Sequence, residues 1–272
     1  MKVPTFNQVA KDWLEYKKPN VRDNTFEMYR GLIGKHFGFI NDISINRISV
    51  ATVERFIADR RENKVNLPTI RKTLITFGQV MKFAVRHRYI DHNPVSEAER
   101  PRSTGEEKKP VIRVLKTDEI ALFLDSVPDE EYHSLFMVAV MSGIRQGELL
   151  GLKWPDIQRD SNQIHIQRTY NHRAWYQPKS RYSNRKVNVG STVMKRLKRW
   201  RLACPAYGLD LVFPNKFGSP IRADYIREHL FEPTWQATGL PDIRFHDLRH
   251  TYASLLIAQG EKSNTSKNSL DI

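Results

Sequence analysis

Apolar residues recur every three or four positions through residues 5–95, the spacing of α-helices that bury one face. The pattern predicts four helices and no strands in that stretch. Thr5 is placed to cap "FNQVAKDWLEYKK", which puts Phe6, Val9, Ala10, Trp13 and Leu14 on one side. A second helix starts near Asn24 and runs through "TFEMYRGLIGKHF", and Ser49 caps a third, "VATVERFIADRRE". Pro68 suits the first turn of a fourth, whose stripe of Ile70, Leu74, Phe77, Val80, Met81 and Ala84 is core. Pro94 disfavours helical geometry at Asn93, so "DHNPV" should end that helix.

The pattern then changes. Residues 96–112, "SEAERPRSTGEEKKPVI", are charged and carry Pro, Ser and Gly, a linker composition. Beyond them, Thr117 is expected to cap a helix with Asp118 and Glu119 in its first turn, where the helix dipole favours acids. An apolar helix follows through "LFMVAVM". "QIHIQRT", "AWYQ" and "RKVNV" alternate in polarity or carry β-formers and predict a small antiparallel sheet. Helices over 191–203, 222–237 and 246–259 complete the chain, with Gly260 placed to stop the last. The expected fold class is mainly α with a small antiparallel sheet.

Composition narrows the partners. The 272 residues are 40% hydrophobic, enough for real cores. Lys plus Arg number 44 against 30 acids, and the net charge of +14 favours a polyanion. The longest apolar run is too short to span a bilayer, and no basic amphipathic helix stands out as a membrane anchor. Nucleic acid is therefore preferred over a membrane surface. Cys204 is the only cysteine and "MKVPTFNQVAKDW" has no signal-peptide core, so a reducing, cytoplasmic compartment is expected.

Three clusters carry candidate chemistry. In "MSGIRQGELLGLKW", Arg145 follows a glycine between apolar flanks and Glu148 lies one turn on; taken alone, this is better read as an Arg145–Glu148 pair on a solvated face. "QPKSRYSNRKVNV" reads as a hairpin carrying Lys179, Arg181, Arg185 and Lys186. From Lys179 to Arg201 there are no acids, and Tyr182 and Trp200 are interleaved, which favours a phosphate-backbone contact over a merely solvated face. In "FHDLRH", His246, Arg249 and His250 fall within about one helical turn. A metal shared by the two histidines would lack the glutamate of HExxH and has no third ligand suggested nearby, so no metal is expected. There is no P-loop or dinucleotide fingerprint.

Taken together, "SGIRQGELLGLKW", the lysine of "PKSRYSNRKV" and "FHDLRHTYASLL", in that order, resemble the tyrosine recombinases, specifically the phage-type integrases. The resemblance implies a helical core-type DNA-binding domain over 1–95, a linker over 96–112 and an α+β catalytic domain over 113–272. It implies double-stranded DNA as substrate, self-association on DNA, no cofactor, and strand cleavage through a 3′-phosphotyrosine. Arg145 and Arg249 match the two phosphate-clamping arginines. Lys179 matches the general acid, and His246 the histidine that assists proton transfer. Glu148 matches the acid that orients Arg145, and His250 takes a supporting place. Arg181, Arg185 and Lys186 are expected on the DNA backbone. The extra N-terminal domain of some members is not expected here.

The pattern breaks after "HDLRH". The family's next histidine or tryptophan, usually in Leu-Gly-His, and its later nucleophilic tyrosine have no counterpart, and Tyr252 lies only three residues from Arg249 on the same helix. Without the nucleophile the covalent step cannot occur, so binding of recombination sites without cutting is the alternative function. A type IB topoisomerase shares the chemistry but not the helical first domain. The tail "KSNTSKNSLDI" suggests a cause. With suitable synonymous codons, starting at the last base of the Lys262 codon yields "IKYIQKQLGH", an amphipathic segment ending in Leu-Gly-His. The expectation is a shifted reading frame after about Lys262. Sequencing the gene through codon 272 and beyond should reveal Leu-Gly-His followed by a tyrosine codon in the neighbouring frame; any other content refutes the shift.

Overall fold

The computed structural model describes residues 3–103, 112–171, 173–177 and 184–258. It divides into two compact units, Met1–Lys109 and Pro110–Ile272. Within the first, helices α1 (Phe6–Lys17), α2 (Asp23–His36), α3 (Val50–Glu62) and α4 (Leu67–Arg86) precede a single turn, α5 (Pro94–Glu97). Thr5 and Gln8 close a reciprocal cap on α1: the Thr5 amide donates to Gln8 Oε1 at 2.8 Å and the Gln8 amide to Thr5 Oγ1 at 3.4 Å. Ser49 and Thr52 do the same for α3. Asn66 caps α4, with Pro68 in the first turn.

The end of α4 differs from expectation. It closes at Arg86, well before Pro94, through a left-handed Arg88 at φ 59°. The Tyr89 amide reaches the Ala84 carbonyl at 3.0 Å and the Arg88 amide the Val85 carbonyl at 2.9 Å, a turn that satisfies the last carbonyls without glycine. Pro94 instead opens α5, capped by Asn93. The predicted stripe of α4 is buried throughout, and Phe6, Phe37, Phe56 and Phe77 meet at its centre with ring centroids 5.1–5.7 Å apart. Ala98 also packs into this core, so the first unit extends past residue 95.

The second unit opens with α6 (Thr117–Asp125), α7 (Glu130–Ser142) and α8 (Gln146–Leu150). Thr117 is the first helical residue rather than the cap; the Glu119 carboxylate instead accepts the Lys116 amide at 2.9 Å. Among the described residues, five short strands follow: β1 (Ile157–Gln158), β2 (Gln163–Ile166), β3 (Thr169–Asn171), β4 (Ala174–Tyr176) and β5 (Arg185–Asn188). They form two antiparallel sheets, β1-β2-β5 and the hairpin β3-β4. "QIHI" and "RKVN" pair as the alternation suggested, with Ile164 opposite Val187, but "AWY" pairs with "TYN" in its own hairpin.

Helix α9 (Ser191–Ala203) packs on α7, and Trp200 Nε1 donates to the Val212 carbonyl at 2.6 Å. The stretch expected over 222–237 is helical but interrupted. Helix α10 (Ala223–Tyr225) passes through a π-turn at Ile226–Phe231 into α11 (Glu232–Ala237). Pro233 lacks an amide proton and its ring would crowd the carbonyl four residues back, and the widened turn just before it accommodates the proline. Phe123, Phe136, Phe231, Trp235 and Phe245 build the aromatic centre of this core. The last described element is α12 (Asp247–Ala258); Gly260, its expected stop, lies outside the described residues. Among the described residues no helix is long and apolar enough to cross a membrane.

One carboxylate in this unit opposes folding. Glu131 Oε1 is buried on α7 with no hydrogen-bond partner among the described residues, and burial, then the Asp129 charge, pushes its pKa from the usual 4.5 to about 7. A raised carboxyl pKa means that stability is fully present below about pH 4.5 and falls as the group ionises through pH 7. Glu131→Gln should therefore raise the melting temperature at pH 8 and leave it nearly unchanged at pH 4, measured by thermal melts across that range.

Candidate active site

The first cluster is shaped by a glycine. Gly143 ends α7 at φ 60°, a conformation that side chains rarely adopt. A Cβ there would lie 2.3 Å from Cδ1 of Tyr252, so α12 closes against the bare backbone. Ile144 is buried beside it and anchors the turn. Arg145 then occupies the cap position of α8, its amide donating to Glu148 Oε2 at 2.9 Å and its Nη1 to Glu148 Oε1 at 3.0 Å. Gly147 lets α8 lie directly on β3, where a Cβ would meet the Tyr170 carbonyl oxygen at 2.9 Å.

Glu148 is almost fully buried, and a second arginine holds it. Arg185 Nη1 donates to Oε1 at 3.2 Å and Nη2 to Oε2 at 3.0 Å, a two-pronged bond from β5. Burial raises the Glu148 pKa, but the hydrogen bonds and charge of Arg185, followed by those of Arg145, outweigh it and hold the carboxyl below its ordinary value. Arg185 is itself only 9% exposed, whereas Arg145 is 37% exposed. Arg185 was expected on the DNA backbone; in this structure its guanidinium faces inward onto Glu148. The strand period carried the signal, because Arg185 shares a face with the buried Val187. Lys186, one residue on, is exposed. Lys179 and Arg181 lie outside the described residues.

The third cluster docks on the first. Arg249, buried on α12, donates Nη1 to the carbonyl of Gly143 at 2.6 Å, two residues before Arg145. Two contacts outside the predicted set hold α12 in place. Asp247 accepts the Arg244 amide at 2.9 Å and Arg244 Nη2 at 2.8 Å, closing the first turn. Thr251 donates to the Asp247 carbonyl at 3.0 Å and accepts the Leu115 amide at 3.1 Å, pinning the start of the unit to this helix. Nothing in the local pattern marked Thr251, since its partner is 136 residues away.

His246 precedes α12 rather than lying within it. Its ring meets that of His250 edge to face, centroids 5.3 Å apart. Partial burial first, then the neighbouring His250 and Arg249, hold the His246 pKa below its usual value, so its imidazole is neutral at neutral pH. Among the described residues no group of three or more His, Cys, Asp or Glu is placed to hold a metal ion.

Comparison with known proteins identifies the family. The model of the phage integrase family matches residues 113–265, and that of the phage integrase central domain matches residues 6–100. The chain belongs to the phage integrase family, the tyrosine recombinases. It is 24% identical over 268 residues to the ICEBs1 integrase of Bacillus subtilis, covering 92% of this chain and 70% of that protein. It is 25% identical to a XerC-like tyrosine recombinase of Caldanaerobacter subterraneus, covering 94% of this chain and 73% of the relative. In fold it resembles the Tn1549 transposon integrase solved with circular intermediate DNA, with a TM-score of 0.80 at 16% identity, covering 97% and 90% of the two chains. It also resembles lambda integrase solved as a dimer on a core site, with a TM-score of 0.78 at 15% identity over 97% and 94%.

Glu148→Gln tests the central ion pair. Removing the carboxylate leaves the Arg185 charge buried and should cost about 3 kcal/mol or more at pH 7 by urea denaturation. Because the Glu148 pKa is lowered, its contribution is present above about pH 4.5 and lost as pH falls through the folded-state value. The gap between variant and parent should therefore narrow in acid.

Proposed function

We propose that this tyrosine recombinase binds duplex DNA and holds a scissile phosphate between Arg145 and Arg249. The observation that carries the reading is the bond from Arg249 to the Gly143 carbonyl, which brings the two arginine-bearing segments together. Phosphoryl transfer builds negative charge on the non-bridging oxygens, and permanently charged, fork-shaped guanidinium groups stabilise that charge. Glu148, with Arg185 behind it, orients Arg145 without reacting. Lys179 donates a proton to the leaving 5′ oxygen as the tyrosine oxygen of the family's mechanism bonds to phosphorus. His246, neutral at working pH, accepts or relays a proton at the phosphate. Lys186 and Arg181 contact the backbone beside the hairpin, and His250 supports His246. The DNA-bound states of the structural relatives, including a lambda integrase tetramer on a Holliday junction, support several copies acting together on DNA.

No tyrosine follows Tyr252 within the 272 residues, and the Tyr252 ring is engaged against Gly143. A polypeptide of these residues alone is proposed to bind without forming a covalent adduct. Incubated with a nicked suicide duplex, it should give no protein–DNA species that survives denaturation; an adduct would overturn this. In a titration it should bind duplex DNA with an affinity that falls steeply with salt. Absence of binding at low salt would remove the whole reading.

A further inference from the structure

The β3-β4 hairpin and the segment after α8 enclose a cleft of about 290 Å³ lined by Lys153, Arg168, Trp175, Tyr176, Gln177 and Leu209, none of them acidic. Its wall is fixed from beneath by a buried carboxylate. Asp156 is 1% exposed and accepts the Lys153 amide at 2.8 Å, Gln167 Nε2 at 2.9 Å and Nη1 of Arg168. One anion thus sets both the backbone of Lys153 and the guanidinium of Arg168. The Arg168 bonds among the described residues all run through Nη1, which leaves the Nε and Nη2 protons for a ligand. Opposite these cations, Leu209 and Trp175 stay 40% and 41% exposed.

We propose that this cleft docks an acidic, aliphatic segment of a partner protein. A Leu, Ile or Val side chain of the partner packs on Leu209 and the edge of Trp175, and a neighbouring Asp or Glu carboxylate lies on Lys153 and Arg168. Charge complementarity selects the acid: two cations converge on a concave wall that holds no carboxylate, and a guanidinium fork fits a carboxylate with two parallel bonds. The exposed apolar groups select the aliphatic neighbour, since a phosphate would satisfy the cations and leave Leu209 and Trp175 in water. The indole itself is already engaged. Lys153 Nζ lies over the Trp175 ring, 5.7 Å from its centroid, and the ring of Tyr170, its partner across the hairpin, is 5.2 Å away at 59°. A ring held between a cation and a second ring is poorly placed to stack a nucleic-acid base. Trp, Tyr and Arg in a fixed pocket are the residue types that anchor protein interfaces. The inference does not rest on the recombinase reading.

The test titrates the full 272-residue protein into a fluorescein-labelled peptide of alternating leucine and glutamate and follows anisotropy. Binding should saturate, and Lys153→Glu and Leu209→Ser should each weaken it by about tenfold or more. Lys153→Arg should keep the parental affinity. Lys195→Glu, on the exposed face of α9, should leave it unchanged. Peptides with glutamine in place of glutamate, or serine in place of leucine, should bind at least about tenfold more weakly than the parent peptide. Circular dichroism melts check that each variant is folded. Absence of saturable binding overturns the inference, as does equal binding of the serine peptide or an equal loss in Lys195→Glu, because either would report the net charge of the protein alone. If Lys153→Glu weakens binding of a duplex DNA while Leu209→Ser leaves peptide binding intact, the cleft is a phosphate contact and the inference also falls.

Discussion

A carboxylate taken out of water between two guanidinium groups organises the catalytic unit. Glu148 sits on a helix of a single turn, too short to hold its own conformation. Its position comes from the Gly143 turn before it, from β3 beneath it and from the Arg185 fork beyond it. In a chain with a net charge of +14, arginines gathered at one point repel each other. Two unit charges about 4 Å apart interact by roughly 4 kcal/mol where the effective dielectric is near 20. A buried anion reverses that balance and fixes the direction in which Arg145 points. The two arginines differ in exposure: Arg185 is buried against the carboxylate, whereas Arg145 is more exposed.

The second tie is a backbone carbonyl. Gly143 has no side chain, so Tyr252 can close on it and Arg249 can reach its oxygen. A left-handed turn that ends α7 thus also provides the seat for α12. Asp247 and Thr251 complete the arrangement from within α12 and from the start of the unit. Segments around residues 115, 145, 185 and 249 are joined by hydrogen bonds whose partners are far apart in the chain. A TM-score of 0.80 at 16% identity to the Tn1549 integrase fits a framework carried by packing and a few polar anchors, around which most residue types can change.

Much of the architecture was legible in the chain because it depends on local rules. The stripe from Ile70 to Ala84 is buried as the helical period requires, and the Thr5 and Ser49 caps form where hydroxyl residues precede apolar runs. Boundaries were less legible. Arg88 adopts a left-handed turn that glycine usually marks, so α4 ends earlier than Pro94 implied. The 222–237 helix contains a π-turn that its apolar spacing does not reveal. The inward turn of Arg185 was not legible, because a run of basic residues hides which of them shares a face with Val187.

The sequence by itself determined the helical first unit, the mixed second unit, the basic character and the arginine and histidine motifs of the site, since periodicity, capping and composition are properties of neighbours along the chain. The tertiary structure alone decided that Arg185 serves Glu148, that Thr251 holds Leu115 and that Arg249 rests on the Gly143 carbonyl. Those bonds join residues tens of positions apart, and their geometry exists only once the core has closed and excluded water from the groups that make them.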